Sequence, residues 1–106
     1  MDDLITEENA SDLRVEITQA SDLGPGGITL GGRATDAEFG DAIVGLNVIV
    51  DDDPRRGAAA DLDGRFVLDS LRADQTLRFQ FIGYRTLRAS VRDLVERREV
   101  TTAQER

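Results

Sequence analysis

The chain has no cysteine and no histidine among its 106 residues. Without cysteine there are no disulfides, thiolate metal sites or cysteine nucleophiles. Without histidine there are no Ser-His or Cys-His nucleophile pairs and no His-ligated zinc, and the side chain that most often acts as a general base near neutral pH is missing. These two absences remove most familiar enzyme designs, so we expect a non-catalytic protein.

Positive charge is scarce and comes from arginine alone. The chain carries 13 basic residues against 21 acidic ones, which gives a net charge of -8. This charge repels nucleic-acid phosphates and anionic membrane surfaces, and no basic stripe offsets it. We therefore expect no nucleic-acid partner and no membrane insertion.

Long apolar segments are absent as well. No run approaches the ~20 residues that span a membrane. The acidic start Met1–Ile5 lacks the basic and apolar parts of a secretory signal. Taken as it stands, the sequence predicts a soluble chain without an export signal.

The length allows one domain with one hydrophobic core. Residues 1–11 are polar and acidic, and we expect a flexible arm there. Three apolar residues then alternate with polar ones and predict an extra edge strand over 12–19. The breaker cluster Gly24–Gly27 separates this N-terminal extension, residues 1–27, from a β-sandwich over residues 28–104.

From Ile28 onward, short runs of alternating apolar and polar residues recur between turn signals. Such alternation is typical of antiparallel strands with one buried and one wet face. The pattern predicts an all-β fold, a seven-stranded antiparallel sandwich with Greek-key connections. The predicted strands are Ile28–Ala34, Val44–Val50, Arg56–Ala60, Arg65–Leu68, Thr76–Phe81, Leu87–Val91 and Glu99–Ala103.

The second and fifth predicted strands have the most regular alternation, so we expect both to be central. One turn of helix is predicted over Ser90–Arg98, where apolar residues recur at helical spacing. Aromatic residues make up only 5% of the chain, so the core must be filled mainly by aliphatic residues around the phenylalanines. These are Phe39, Phe66, Phe79 and Phe81.

Four short motifs follow one another along the sandwich region. They are Gly32–Asp36, Ala42–Val48, Ala60–Phe66 and Phe81–Tyr84. In this order they resemble the G-x-V-x-D strand, the P-L-x-G-V-x-V segment, the T-D-x-x-G-x-F hairpin and the F-x-G-Y strand end of the carboxypeptidase regulatory-like domain family, with Ala-Ile where Pro-Leu is usual. The resemblance covers residues 28 to about 103 and implies a transthyretin-like or immunoglobulin-like sandwich, also described as a carbohydrate-binding-like fold.

The resemblance also implies a setting. Modules of this family precede the plug of TonB-dependent outer-membrane receptors, follow the catalytic domain of some metallocarboxypeptidases and occur alone in envelope proteins. Peptidase activity is not implied, because a zinc peptidase needs histidine ligands that this chain lacks. The N-terminal extension departs from the minimal module of the family.

Two aspartate clusters on predicted loops are candidate calcium sites. Clustered carboxylates are the hard oxygen ligands that Ca²⁺ binds. However, the Asp-x-Asp-Gly spacing lacks the third ligand and the distal glutamate of an EF-hand loop. We favour the interpretation that these residues form turns and a solvated edge, and we expect no cofactor. The candidates are Asp51, Asp52, Asp53, Asp61 and Asp63.

Tyr84 is the candidate binding residue, because an exposed aromatic ring stacks on sugars or peptides. The favoured interpretation is instead that Gly83 relieves a bulge and that Tyr84 buries its ring with its hydroxyl bonded to the backbone. Several late arginines offer a site for an acidic ligand, but pairing with aspartates on neighbouring strands is the plainer account. They are Arg78, Arg85, Arg88 and Arg92.

Three functions stay open at this point. We favour a non-catalytic interaction or spacer module of a cell-envelope protein that binds a protein or glycan partner. The second is the N-terminal domain of a TonB-dependent outer-membrane transporter, which would place it in the periplasm, and the third is a calcium-stabilised adhesion module. We expect a monomer, or a weak dimer that forms through an edge strand in high salt.

Overall fold

A computed structural model describes residues 10–21 and 27–102 of the chain. It contains two four-stranded antiparallel sheets and one short helix. The elements are β1 (Leu13–Ser21), β2 (Ile28–Asp36), β3 (Asn47–Val50), β4 (Gly57–Ala59), β5 (Arg65–Leu71), β6 (Thr76–Gln80), β7 (Leu87–Ser90), α1 (Val91–Arg97) and β8 (Glu99–Thr101).

The two sheets enclose one hydrophobic core. Sheet I has the strand order β5-β2-β1-β8 and sheet II the order β4-β3-β6-β7. Strands such as β1, β3 and β6 bury alternate side chains, which is the alternation seen in the sequence, whereas β2 buries consecutive residues and β4 buries none fully. The predicted all-β sandwich is confirmed, with eight strands rather than seven. The largest fully buried side chains are Phe79, Leu13, Leu30, Leu46, Leu71, Leu77, Leu87 and Leu94.

The first strand, β1, lies inside sheet I, so the edge position predicted for residues 12–19 is wrong. β1 pairs with β2 on one side and with β8 on the other. Alternation indicates which face of a strand is buried, but it does not indicate how many neighbours an antiparallel strand has. Its second neighbour, β8, comes from the far end of the chain. The buried residues of β1 are Leu13, Val15 and Ile17.

β1 and β2 form a hairpin in which Ser21 opposes Thr29. The strand Leu13–Ser21 is therefore an integral part of the sandwich. Residues 22–26, which include most of the predicted breaker cluster, lie outside the described residues. So do residues 1–9 of the predicted arm.

Strands β3 and β6 are the inner strands of sheet II, as their regular alternation predicted. β3 begins at Asn47 rather than at Val44, and the side chain of Val44 is exposed. Gly45 has a φ of 84°, a left-handed conformation that β-strands do not use, so the extended strand starts only after it.

The helix predicted over Ser90–Arg98 is present as α1, Val91–Arg97. The hydroxyl of Ser90 caps it by accepting a hydrogen bond from the backbone N–H of Asp93 at 3.0 Å. It ends at Arg98, which has a left-handed φ of 67°. In the part of the chain that the structure describes, no helix is long and apolar enough to cross a membrane.

The sequence predicted that all four phenylalanines lie in the core, but not all of them do. Phe66 and Phe79 are buried and pack edge to face, with ring centroids 5.6 Å apart. Phe81 is half-buried. The prediction was wrong for Phe39, whose side chain is 72% exposed. Phe39 lies in the tight turn after β2, which leaves its side chain outside the core.

Candidate functional site

The loops of the sandwich gather at two ends. The pairing register places the end of β2 beside the start of β1, and the start of β3 beside the ends of β4 and β6. We call this side the tyrosine end; it carries the loops 37–46, 60–64 and 81–86. The opposite side, the helix end, carries the loops 51–56 and 72–75 together with α1. The candidate aspartates and Tyr84 all lie at one of these ends.

Asp36 and Tyr84 join the two sheets at the tyrosine end. The Tyr84 hydroxyl donates a hydrogen bond to Oδ2 of Asp36 at 2.7 Å. The other carboxylate oxygen, Oδ1, accepts from the backbone N–H groups of Glu38 and Phe39 at 2.8 and 2.9 Å. These two residues close the motifs Gly32–Asp36 and Phe81–Tyr84, so the two motifs meet in one contact.

The contact shifts the pKa of both residues. Burial raises the pKa of the Asp36 carboxyl, but hydrogen bonds from Tyr84, Phe39 and Glu38 outweigh it and hold the pKa below its ordinary value. Burial is also the largest cause that raises the pKa of Tyr84 to about 12, followed by its hydrogen bond to Asp36 and by the charges of Asp36 and Asp41. At neutral pH the contact is therefore a neutral hydroxyl donating to a carboxylate.

A second polar cluster fixes the start of β1 against the same end. Oδ1 of Asp12 accepts from Arg85 at 3.0 Å and from the hydroxyl of Thr102 at 2.9 Å. The Thr102 hydroxyl accepts in turn from the backbone N–H of Leu13 at 3.0 Å. Arg85 also donates to the carbonyl of Ala10 at 3.0 Å. Asp12 thus holds the first and last described segments and the loop 81–86 together.

Asp61 and Asp63 form the turn between β4 and β5. Oδ1 of Asp61 accepts from the backbone N–H groups of Asp63 and Arg65, both at 2.9 Å. The bond from Arg65 and then that from Asp63 hold the pKa of Asp61 below its ordinary value. Gly64 completes the turn with a φ of 78°, and a Cβ there would lie 2.6 Å from the carbonyl oxygen of Ala34. Turn formation thus accounts for the Asp-x-x-Gly spacing.

The aspartates at positions 51–53 lie at the helix end, each beside an arginine. Oδ1 of Asp52 also accepts from the side-chain amide of Gln75 at 3.2 Å. The nitrogen-to-oxygen distances are 3.4 Å for Asp51–Arg78, 3.5 Å for Asp52–Arg72 and 3.7 Å for Asp53–Arg55.

The structure does not bring the two aspartate clusters together. One cluster precedes β4 and the other follows it, so they lie at opposite ends of the sandwich. Within residues 10–21 and 27–102, no group of three or more His, Cys, Asp or Glu side chains could hold a metal ion.

Tyr84 is half-buried and its hydroxyl is bonded to a carboxylate, not to the backbone as the sequence had predicted. Its ring packs against Phe81, with centroids 6.2 Å apart and a 53° angle between the planes. Gly83 has a φ of 90° and turns the chain between these two residues. The structure therefore gives Tyr84 a clear role in joining the sheets.

The late arginines divide into two groups. Arg78 and Arg85 pair with Asp51 and Asp12, as the pairing prediction requires, but these aspartates lie just outside the strands rather than on neighbouring ones. Arg88 and Arg92 are exposed.

The sequence did not indicate the most prominent surface feature of the tyrosine end, a group of exposed apolar side chains that we call the apolar tips. Four of the five exposed large apolar residues in the described part of the chain lie there. The available signal was an apolar residue inside a turn between acidic neighbours, as in Asp-Leu-Asp at 61–63. The apolar tips are Phe39, Val44, Leu62 and Ile82, with 72%, 46%, 83% and 85% of their surface exposed.

A cleft of about 450 Å³ lies beside the apolar tips, where the outer face of sheet II meets the loop 81–86. Its lining residues include Gly45, Asn47, Gln80, Phe81 and Ile82. The cleft therefore combines backbone, amide and apolar groups next to an exposed tip.

Comparison with known proteins points to one family. The family model described as the CarboxypepD_reg-like domain matches residues 30–105, a range that begins inside β2 and covers all the later strands. No curated protein and no solved structure matches the chain significantly. The match confirms the family that the four sequence motifs indicated.

Proposed function

Because the chain belongs to the CarboxypepD_reg-like domain family, we propose that it is a non-catalytic interaction module of a cell-envelope protein that binds a protein or glycan partner. The observation that carries the proposal is the concentration of the apolar tips at one end of the sandwich. Contiguous exposed apolar surface on a soluble protein marks an interaction site. The cell-envelope setting comes from the resemblance of the four motifs.

The apolar tips favour binding over a purely spacing role. Each Å² of apolar surface in contact with water costs about 25 cal/mol relative to burial. A spacer gains nothing by exposing four large apolar side chains on neighbouring loops, whereas a binding module recovers that free energy when a partner covers them.

The carboxylates of the motifs support the non-catalytic part of the proposal. Hydrolysis with paired carboxyls needs one acid whose pKa is raised so that it can donate a proton. Asp36 and Asp61 instead have pKa values below the ordinary value, because hydrogen-bond donors surround them. Both residues stay ionised at neutral pH and stabilise loops.

Site-specific photocrosslinking in the native host tests the proposal. We would replace Leu62, an apolar tip, with a photoreactive phenylalanine derivative in the full-length protein. The matched control is the same replacement at Arg55, which is 93% exposed but lies at the helix end. We expect a discrete adduct from position 62 and none from position 55, and protease or glycosidase treatment of the adduct then distinguishes a protein from a glycan partner.

A lack of adduct at both positions would contradict an interaction function and leave a spacer. Turnover of a peptide or glycoside substrate that disappears in a single carboxylate variant would contradict the non-catalytic part. The gene sequence downstream of Arg106 tests the alternative that the chain is the N-terminal domain of a TonB-dependent transporter. A plug and a barrel encoded there would support that alternative.

A further inference from the structure

We infer that the tyrosine end binds a protein segment that combines apolar residues with lysine or arginine, an inference that rests on the interaction function proposed above. The apolar tips would contact the apolar residues, and exposed carboxylates beside the tips would attract the cationic ones. These carboxylates, which we call the acidic rim, belong to Glu38, Asp41 and Asp63.

The three loops of the tyrosine end form one continuous surface. A Cβ placed on Gly64 would lie 3.2 Å from the Cβ of Ala42, so the loop 60–64 touches the loop 37–46. The backbone N–H of Gly45 also donates to the carbonyl of Ala60 at 3.0 Å. The Asp36–Tyr84 hydrogen bond joins the loop 81–86 to the turn that contains Phe39. The loops that carry the tips are therefore neighbours at this end of the sandwich.

The acidic rim lies directly beside the tips in the sequence. Glu38 precedes Phe39, Asp41 follows it after one glycine, and Asp63 follows Leu62. All three carboxylates are exposed, and none forms an ion pair with another described residue. The guanidinium of Arg33 bonds to the backbone carbonyl of Asp63 at 2.8 Å rather than to a rim carboxylate, so the three carboxylates remain available to attract a cationic partner.

The same charge disfavours other occupants. A second copy of the chain would bring another acidic rim and a net charge of -8. The chain's own first nine residues carry four acidic side chains and no basic one. Anionic lipid headgroups are repelled for the same reason. A glycan is less well matched, because sugars stack on aromatic faces and three of the four apolar tips are aliphatic.

The cleft beside Ile82 suits an extended peptide segment. Asn47 and Gln80 provide amide groups that can donate to and accept from a peptide backbone, and Phe81 provides an apolar wall. Mixed apolar and hydrogen-bonding surface of this kind is typical of protein interfaces.

Nuclear magnetic resonance titration of the full-length chain tests this inference. The probes are a peptide that alternates lysine and leucine, its glutamate–leucine counterpart, and phosphatidylcholine vesicles with and without phosphatidylglycerol. We expect the lysine–leucine peptide alone to bind, and to shift the backbone amide signals of the loops 37–46, 60–64 and 81–86.

Matched variants separate local contacts from general attraction to an acidic protein. Leu62→Ser and Ile82→Ser should each weaken binding of the lysine–leucine peptide about tenfold, whereas Val67→Ser, exposed on β5, should not change it. The double variant Glu38→Gln/Asp63→Asn should weaken binding about two- to fivefold. Its control, Asp69→Asn/Glu96→Gln, removes the same charge from exposed positions on β5 and α1 and should have a smaller effect.

Several outcomes would overturn the inference. Shifts spread evenly over the acidic surface, or equal losses in the two charge variants, would mean unspecific attraction. Binding of vesicles but not of the peptide would assign the surface to a membrane, and self-association through the tips would assign it to a second copy. If the crosslink at position 62 forms in cells while the peptide fails to bind, only this inference is lost; if no crosslink forms, the proposed interaction function is lost as well.

Discussion

At the helix end four aspartates lie within ion-pair distance of arginines, whereas at the tyrosine end four exposed carboxylates have no such partner among the described residues. The paired acids are Asp51, Asp52, Asp53 and Asp74. The unpaired ones are Glu38, Asp41, Asp61 and Asp63.

The two ends also differ in their apolar surface. The tyrosine end exposes four large apolar side chains, and no described residue of the helix end does so. Instead, α1 buries Val91 and Leu94 against the core. One end of the sandwich therefore pairs its loop aspartates with arginines, while the other presents apolar groups and unpaired loop carboxylates. The comparison shows that loop aspartates with similar sequence surroundings are paired at one end and unpaired at the other, depending on whether an arginine lies within reach.

The largest loss of stability should come from a substitution in the core that both ends share. Phe79 is fully buried on β6 and contacts Phe66. Phe79→Ala should lower the free energy of unfolding by ~3–5 kcal/mol, since it removes apolar contacts and leaves a cavity. Chemical denaturation would measure it. Phe39→Ala is the control, with an expected change within about 0.5 kcal/mol, because Phe39 is an exposed tip. Equal losses in both variants would contradict the division into core and tips.

The second largest loss of stability should come from breaking the hydrogen bond between Tyr84 and Asp36 at the tyrosine end. Tyr84→Phe leaves Oδ2 of Asp36 without its hydroxyl donor. Hydrogen bonds to charged groups contribute about 1.5–3 kcal/mol, so we expect a loss of stability in that range. Denaturation at neutral pH would measure it, and an unchanged free energy of unfolding would show that Asp36 does not depend on Tyr84.

The pH dependence of stability gives a second test of the same contact. The pKa of Tyr84 rises from 10.0 to about 12 in the folded protein, so its contribution is complete below pH 10 and is lost as the pH rises towards 12. For Asp36 the pKa is lowered from 3.8, so its contribution is complete above that value and is lost as the pH falls through the folded pKa. Tyr84 is the only tyrosine, so ultraviolet absorbance follows its ionisation directly.

A smaller effect is expected at the helix end. Ser90→Ala removes the hydroxyl that caps α1, and such a loss costs about 1 kcal/mol. Because α1 lies at the helix end, the amide signals of the loop 81–86 should keep their positions in this variant. Movement of those signals would mean that the two ends are coupled through the core.

The smallest effect should come from calcium. Every aspartate at positions 51–53 has an arginine neighbour, and Asp61 accepts backbone hydrogen bonds, so we expect the same melting temperature in Ca²⁺ and in EDTA, with Mg²⁺ as the control at fixed ionic strength. A site occupied at 100 times its Kd would add ~2.7 kcal/mol and raise the melting temperature by several degrees. A rise specific to Ca²⁺ would restore the adhesion alternative.

Local patterns in the sequence predicted most of the fold. Alternating residues placed the strands and identified β3 and β6 as inner strands, and the spacing of Val91, Leu94 and Val95 predicted α1. These features depend on neighbours in sequence, which is why they could be derived without a structure.

Contacts between distant residues could not be derived in this way. The β1–β8 pairing, which moved β1 from the edge to the interior, joins residues about as far apart as the described chain allows. The Asp36–Tyr84 bond likewise depends on how two loops from different sheets meet. Phe39 was assigned to the core because its residue type is usually buried, whereas its position in a turn decided otherwise.

The β1–β8 pair also determines how the fold responds to force. The backbone N–H of Leu13 is bonded to Thr102, so residues 12 and 102 lie side by side at the tyrosine end. A force that pulls these two residues apart would peel β8 from β1 at Thr101 first, then at Val100, then at Glu99. Hydrogen bonds that break one after another resist less than bonds sheared together. Under tension, this sandwich would therefore open at the seam between its first and last strands.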